Sequence, residues 1–124
     1  MIRRVRRTNP YRRWLVWRKA GELASQVYTV TKRFPLEERF GLIAQMRRAS
    51  LAISTNIVAG SAPASKREKR RCYQQARVSL TELGTYLDAS HSRLRYLDRE
   101  RVQRLAVLRR DVGRLLKALV HFVP

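Results

Sequence analysis

Apolar residues recur along most of this chain at spacings of three and four, the period of a helix with one buried face. After Pro10, the positions Val16, Ala20, Leu23, Val27, Val30 and Phe34 form the first stripe. Phe34-Pro35 closes it, because the residue before a proline is biased away from the helical region. A second stripe runs through Leu42 or Ile43, Met46, Ala49, Ile53 and Ile57, and it stops at the loop-like Gly60-Ser61-Ala62-Pro63. Ser65 can cap a third helix, with Glu68 three residues on completing a capping box. That helix carries Cys72, Ala76, Leu80, Leu83, Leu87, Ser90, Leu94 and Leu97 on its apolar face. Asp98 offers a further N-cap, and Val102, Leu105, Val112, Leu116, Leu119 and Val123 make a fourth stripe. No window alternates convincingly with period two, so the pattern predicts helices at about 11–33, 37–59, 65–95 and 98–122 and no strands.

Four amphipathic helices joined by short connections most simply fold as an antiparallel up-down four-helix bundle, an all-α class. The organisation expected is a basic arm over residues 1–10 followed by one domain over 11–124. Leu108, Leu115 and Phe122 on the last helix and Tyr86 on the third lie beside the main stripes. This surplus apolar surface predicts either a thick core or a subunit interface, so a homo-oligomer is expected.

Charge changes the picture more than any single motif. The 124 residues include 28 Lys+Arg against 9 Asp+Glu, a formal net charge of +19. With 44 % hydrophobic residues the chain is too apolar for a disordered basic tail. Such a charge repels itself in the compact state, and an anionic partner would relieve it: nucleic acid, an anionic membrane surface or an acidic protein. Arginine far outnumbers lysine, and its planar fork suits bidentate phosphate contacts and stacking on bases, which favours nucleic acid. Cys72 is the single cysteine, so an intramolecular disulfide is excluded and a reducing, cytoplasmic location is expected. The apolar run Trp14–Trp17 is too short for a secretion signal, and Leu115–Val123 is short and broken by Lys117 and His121, so no membrane span is expected.

Two basic clusters are the candidate contacts. Arg3, Arg4, Arg6 and Arg7 of the arm join Arg12, Arg13, Arg18 and Lys19, with no acid before Glu22. Eight cations without compensation suit phosphate contact better than a merely solubilising tip. Tyr11, Trp14 and Trp17 are interleaved with them and could stack on unpaired bases, although capping of the core is the preferred reading for the two tryptophans. Lys66, Arg67, Lys69, Arg70 and Arg71 open the third helix, where cations oppose the macrodipole. Their unfavourable placement points to a ligand rather than to stability. The arginines of the last helix, interspersed with Asp98, Glu100 and Asp111, read as a solvated face. Arg47, Arg48, Asn56 and Glu82 sit among apolar stripes and read as structural. Glu82 is expected to face inward and pair with Arg47 or Arg48, and Asn56 to bond backbone near the Gly60 turn.

Enzymatic chemistry is disfavoured. His91 and His121 lie on different helices without metal-ligand spacing, and Cys72 falls on a core stripe. Ser54, Thr55 and the serines of the 61–65 loop lack a partnered base, and Glu37 and Glu38 read as helix-start charges. No Gly-rich loop follows a strand, so no nucleotide fingerprint exists and no cofactor is expected.

The runs VYTVTKRFPLEERFGLIAQMRRASLAISTNIVAG and SKREKRRCYQQARVSLTELGTYL carry a recognisable pattern. Its positions here are Phe34-Pro35, Glu38, Gly41-Leu42, Gln45, Arg47-Arg48-Ala49, Ile53, Asn56-Ile57 and Gly60, then Ser65, Lys66, Glu68, Ala76, Ser79-Leu80, Glu82-Leu83, Thr85 and Leu87. Over roughly residues 14–97 the chain resembles the bacterial four-helix-bundle proteins encoded in intervening sequences of large-subunit rRNA genes. That family includes the accessory variability proteins of diversity-generating retroelements. Three departures stand out: Ala59 replaces an acid in the usual Asn-Ile-Ala-Glu-Gly ending, Gly84 replaces an acid, and Lys69 replaces an aromatic. All move the surface toward basic or neutral. The resemblance implies a ring, typically a pentamer. In the retroelement branch it also implies a basic barrel that binds a reverse transcriptase and template RNA or cDNA, and the Ile-Val-Ala-Gly ending with the heavy positive charge looks more like that branch. The intervening-sequence branch is the runner-up.

The function expected is therefore a non-enzymatic, basic, homo-oligomeric adaptor for RNA or DNA, without sequence specificity because no base-reading helix-turn-helix signature is present. A scaffold that docks an enzyme such as a reverse transcriptase is compatible with it. A membrane-surface role through the basic start is the third class, and the one disfavoured.

Overall fold

A computed structural model describes residues 10–62 and 64–123. Four α-helices carry the fold: α1 Pro10–Thr31, α2 Leu42–Ser61, α3 Lys66–Asp88 and α4 Arg99–His121, and there are no strands among the described residues. α1 opens on Pro10, a residue suited to the first helical position because its missing N–H has no acceptor there. It ends where the Arg33 and Phe34 amides fall back on Val30 and Thr31 carbonyls, at 3.1 Å each, and Pro35 forbids another turn.

The second helix starts later than the stripe predicts. Leu36–Glu38 form a separate 3₁₀ turn, the Gly41 amide closes on the Glu38 carbonyl at 3.1 Å, and α2 proper begins at Leu42. Nor does α2 stop at Gly60: the glycine is buried inside the last turn, and the break comes at Ala62, whose extended backbone (φ −69°, ψ 153°) is what a residue preceding Pro63 must adopt. Ser65 caps α3, its Oγ accepting the Glu68 amide at 3.1 Å; the Glu68 carboxylate returns to the Ser65 hydroxyl at 3.0 Å rather than to the Ser65 amide, so only half of the expected capping box forms. Asp98 caps α4 by accepting the Arg101 amide at 2.8 Å.

The α3–α4 connection departs most from expectation. Instead of continuing to residue 95, α3 gives way at Ala89–Arg93 to a π-helical turn. Buried Ser90 anchors it: its Oγ donates to the Tyr86 carbonyl at 2.7 Å, and its carbonyl accepts from Tyr96 and Leu97 amides at 2.8 and 3.2 Å. The extra residue in the turn rotates Leu94 out of the apolar face, and it stands exposed.

One continuous core runs between the helices. Val16, Leu23 and Val27 of α1, Met46, Ile53 and Ile57 of α2, Tyr73, Ala76 and Leu83 of α3, and Leu105, Val112 and Leu116 of α4 are all at most 2 % exposed. On α3 the core phase is set by Tyr73, Ala76, Leu80, Leu83 and Leu87, spaced three, four, three, four. Cys72, placed in the core by the sequence pattern, falls outside that phase and is half-buried. Leu108, Leu115 and Tyr86 pack partly against the core, whereas Phe122 is exposed. No helix among the described residues is long and apolar enough to cross a membrane.

Candidate nucleic-acid interface

The starts of α1 and α3 and the end of α4 meet. The Arg12 guanidinium lies 5.1 Å from the centre of the Phe122 ring. Arg70 Nε donates to the Val120 carbonyl at 3.3 Å. Arg13 of α1 stands beside the Tyr73 phenol of α3; burial pushes that phenol above its ordinary value, against the pull of the neighbouring guanidinium. Two basic clusters far apart in sequence thus become one field. Arg12, Arg13 and Lys19 are half-buried where they reach across to α3 and α4, while Arg18 is exposed. On α3, Lys66, Arg67, Arg70 and Arg71 are exposed and Lys69 is half-buried, and none of the five takes part in a salt bridge among the described residues. Arg18 approaches Glu22 at 3.8 Å and Lys19 approaches Asp111 at 3.5 Å. The exposed Arg18–Glu22 pair is worth well under about 1 kcal/mol and would yield readily to a phosphate. Arg3, Arg4, Arg6 and Arg7 lie outside the described residues.

Aromatic rings stand in the same region. Tyr11, Trp14 and Arg18, at spacings of three and four, share the side of α1 turned away from the Val16–Ala20–Leu23 stripe. Tyr11 and Trp14 sit ring to ring at 5.7 Å, and the Arg18 guanidinium lies 5.4 Å from the Trp14 ring. Trp14 is 47 % and Trp17 49 % exposed, so the tryptophans do not cap the core as the sequence reading preferred. Val16, Tyr73, Leu119 and Val123 are the core residues here, and the indoles lie outside it. Phe122, 59 % exposed and edge-on to His121 at 4.6 Å, adds a ring that the sequence left as surplus apolar surface. Nothing local marks it, because its relation to Arg12 exists only once α1 and α4 are packed.

The residues read as structural divide. Arg47 does hold helices together: its Nε donates to Thr31 Oγ1 at 3.0 Å and its Nη2 to the Tyr28 carbonyl at 3.4 Å, with the guanidinium 4.5 Å from the Tyr28 ring. Arg48 is exposed and bonds Gln45 on its own helix at 2.8 Å. Asn56 does not reach the Gly60 turn; it donates to the Ala52 carbonyl one turn back, at 2.9 Å. Glu82 does not face inward. It is exposed, because Leu80, Leu83 and Leu87 fix the buried side of α3 and turn position 82 to solvent. Thr31, not Glu82, is the partner of Arg47. Glu82→Ala should therefore change stability by no more than about 0.5 kcal/mol, measured by thermal or denaturant unfolding.

Among the described residues no three His, Cys, Asp or Glu side chains come together as a metal site. The chain belongs to the 23S rRNA-intervening sequence protein family, whose family model matches residues 12–118. A comparison with curated proteins finds no match.

Proposed function

We propose that this member of the intervening-sequence family is a non-enzymatic adaptor that grips the backbone of nucleic acid, without sequence specificity, at the shared end of α1, α3 and α4. One observation carries the reading: two basic clusters meet at a place where half-exposed Trp14, Trp17 and Phe122 stand among the cations. Cations tracking phosphates together with rings for unpaired bases are the elements of a single-strand platform. The contacts of Arg12 with Phe122 and of Arg70 with Val120 support an antiparallel up-down course for the helices. Leu51 and Val58, seven positions apart on α2 and both about half exposed, supply an apolar strip for self-association into a ring, with the pentamer the resemblance implies. A ring would repeat the basic end around an axis and merge the copies into one field. A reverse transcriptase as protein partner rests on the resemblance alone, and a cytoplasmic setting on the single, half-buried thiol.

A salt titration of binding to labelled single-stranded RNA and duplex DNA tests the proposal, on protein stripped of nucleic acid and on its Lys66→Ala/Arg67→Ala/Arg71→Ala variant. These side chains are exposed, so the variant keeps its fold. The logarithm of the affinity should fall linearly with that of salt, by about 0.7 per phosphate on single strands and 0.9 on duplex. The variant should lose about two to three phosphates from that slope. Weak binding at low salt, equal in both proteins, would refute the reading and assign the charge to a protein or membrane partner.

A further inference from the structure

A separate cleft opens where the end of α1 meets the α3–α4 connection. It measures about 410 Å3, within the range of small-molecule sites, and includes none of the residues of the interface above. Its walls carry Arg33, His91, Arg95, Tyr96, Asp98 and Arg101. Arg33 and Arg95 are exposed and engage in no salt bridge among the described residues. Arg101 is paired with Asp98, whose carboxylate also accepts the Arg101 amide at 2.8 Å. That backbone hydrogen bond holds the Asp98 carboxyl below its ordinary range, so the acid stays ionised and its charge is met by Arg101. Two guanidinium charges are left over.

Tyr96 and His91 are held in place. Tyr96 donates to Glu38 Oε2 at 3.0 Å and its ring packs 5.2 Å from that of Phe34. His91 meets the Leu97 carbonyl through Nδ1 at 3.0 Å; a carbonyl only accepts, so Nδ1 bears the proton and Nε2 is the ring's remaining polar atom. Arg95 sits at φ 58°, the one non-glycine residue with positive φ among those described. Glycine or asparagine is the usual occupant of that region. An arginine held there by the turn around Ser90 is a backbone cost borne beside a cleft, which argues for use of the guanidinium.

We infer that this cleft binds a phosphomonoester, carried by a free nucleotide or by the end of a nucleic-acid strand. A monoester bears a charge of roughly −1.5 to −2 at neutral pH and three acceptor oxygens, matching the two uncommitted guanidiniums. A diester within a strand offers a single charge and matches them less well. The base or ribose would lie against the Tyr96 side of the cleft.

Calorimetry with AMP and adenosine, and anisotropy with short RNAs differing only in a terminal phosphate, test the inference at about 150 mM salt, where long-range attraction is screened. The phosphate should raise affinity about tenfold or more in at least one pair, the scale of a charge-assisted hydrogen bond. A gain confined to AMP identifies a free nucleotide, and a gain confined to RNA identifies a strand end. Arg95→Gly, which suits the positive φ, and Arg33→Ala should each abolish the gain without lowering the melting temperature. Arg67→Ala should leave it intact, which separates this site from the interface. Equal affinity with and without the phosphate in both pairs, or a gain that survives Arg95→Gly and Arg33→Ala, would overturn the inference.

Discussion

Gly60→Ala is expected to destabilise the protein by about 2 kcal/mol, although the substitution improves helix propensity. A Cβ at position 60 would lie 2.8 Å from Tyr73 Cδ1 and Cζ, and closer still to Cε1. Real Cβ atoms do not approach a ring so closely, and this ring is 2 % exposed with the core packed around it. Forcing one methyl into a packed core costs about 1–3 kcal/mol, more where nothing can yield. The gain in propensity on replacing glycine inside a helix offsets about 1 kcal/mol of it. Thermal unfolding should show a midpoint lower by roughly 5–10 °C for a domain of this size. Gly84→Ala provides the contrast. There a Cβ would meet the Arg109 guanidinium, Cζ at 2.7 Å, which is the far end of a flexible side chain and can swing away. That variant should be neutral or slightly stabilising. Combining Gly60→Ala with Tyr73→Leu should recover part of the loss in a double-mutant cycle, because the smaller side chain leaves room for the methyl. Purely additive losses would mean that the ring is not what excludes a side chain at position 60.

What the sequence shows and hides follows from the range of the forces. The four stripes set the four helices, because burial of one face repeats every three to four residues whatever the partner is. Ser65, Asp98 and Phe34-Pro35 act on backbone within one turn, and these signals are read at the right positions. The phase of α3 is harder. Cys72 and Tyr73 are both apolar enough for the core, and the larger one goes in, its ring packed where Gly60 of α2 has no side chain. The Glu82 pairing fails for another reason: Leu80, Leu83 and Leu87 lie inside as their spacing predicts, and that phase already turns position 82 to solvent. Arg47 is drawn to Thr31 and Tyr28 rather than to a carboxylate, because a hydroxyl, a carbonyl and a ring face satisfy the guanidinium across the α1–α2 contact. The π turn at Ala89–Arg93 leaves no compositional mark, and Tyr96 finds Glu38 across 58 positions of chain. The candidate interface was legible as two lists of cations. That α1 and α3 bring those lists to one place depends on the order of helices in the bundle, which no local pattern encodes.

Replacing Trp14 and Trp17 together with leucine is expected to weaken binding of single-stranded RNA about 10- to 100-fold while changing duplex binding little. Stacking on an aromatic side chain is worth about 1–3 kcal/mol per base, and about 1.4 kcal/mol is tenfold in affinity. Both indoles are half exposed, so a base can reach them, and leucine retains the apolar contact their buried edges make. In the free protein Arg18 already lies near the Trp14 ring, so a base must displace it or stack beside it. This competition places the effect toward the lower end of the range for Trp14. A duplex keeps its bases stacked on one another and offers the rings nothing but backbone, hence the expected selectivity. The salt dependence should stay unchanged on both ligands, because no charge is removed. That separates stacking from the phosphate grip tested by the Lys66/Arg67/Arg71 variant. Equal losses on RNA and duplex would mean that the rings only support the shape of the basic surface. No loss on either, with the oligomer falling apart at micromolar concentration, would instead make Trp14 and Trp17 part of a contact between copies of the chain. The basic field would then have to hold nucleic acid by charge alone.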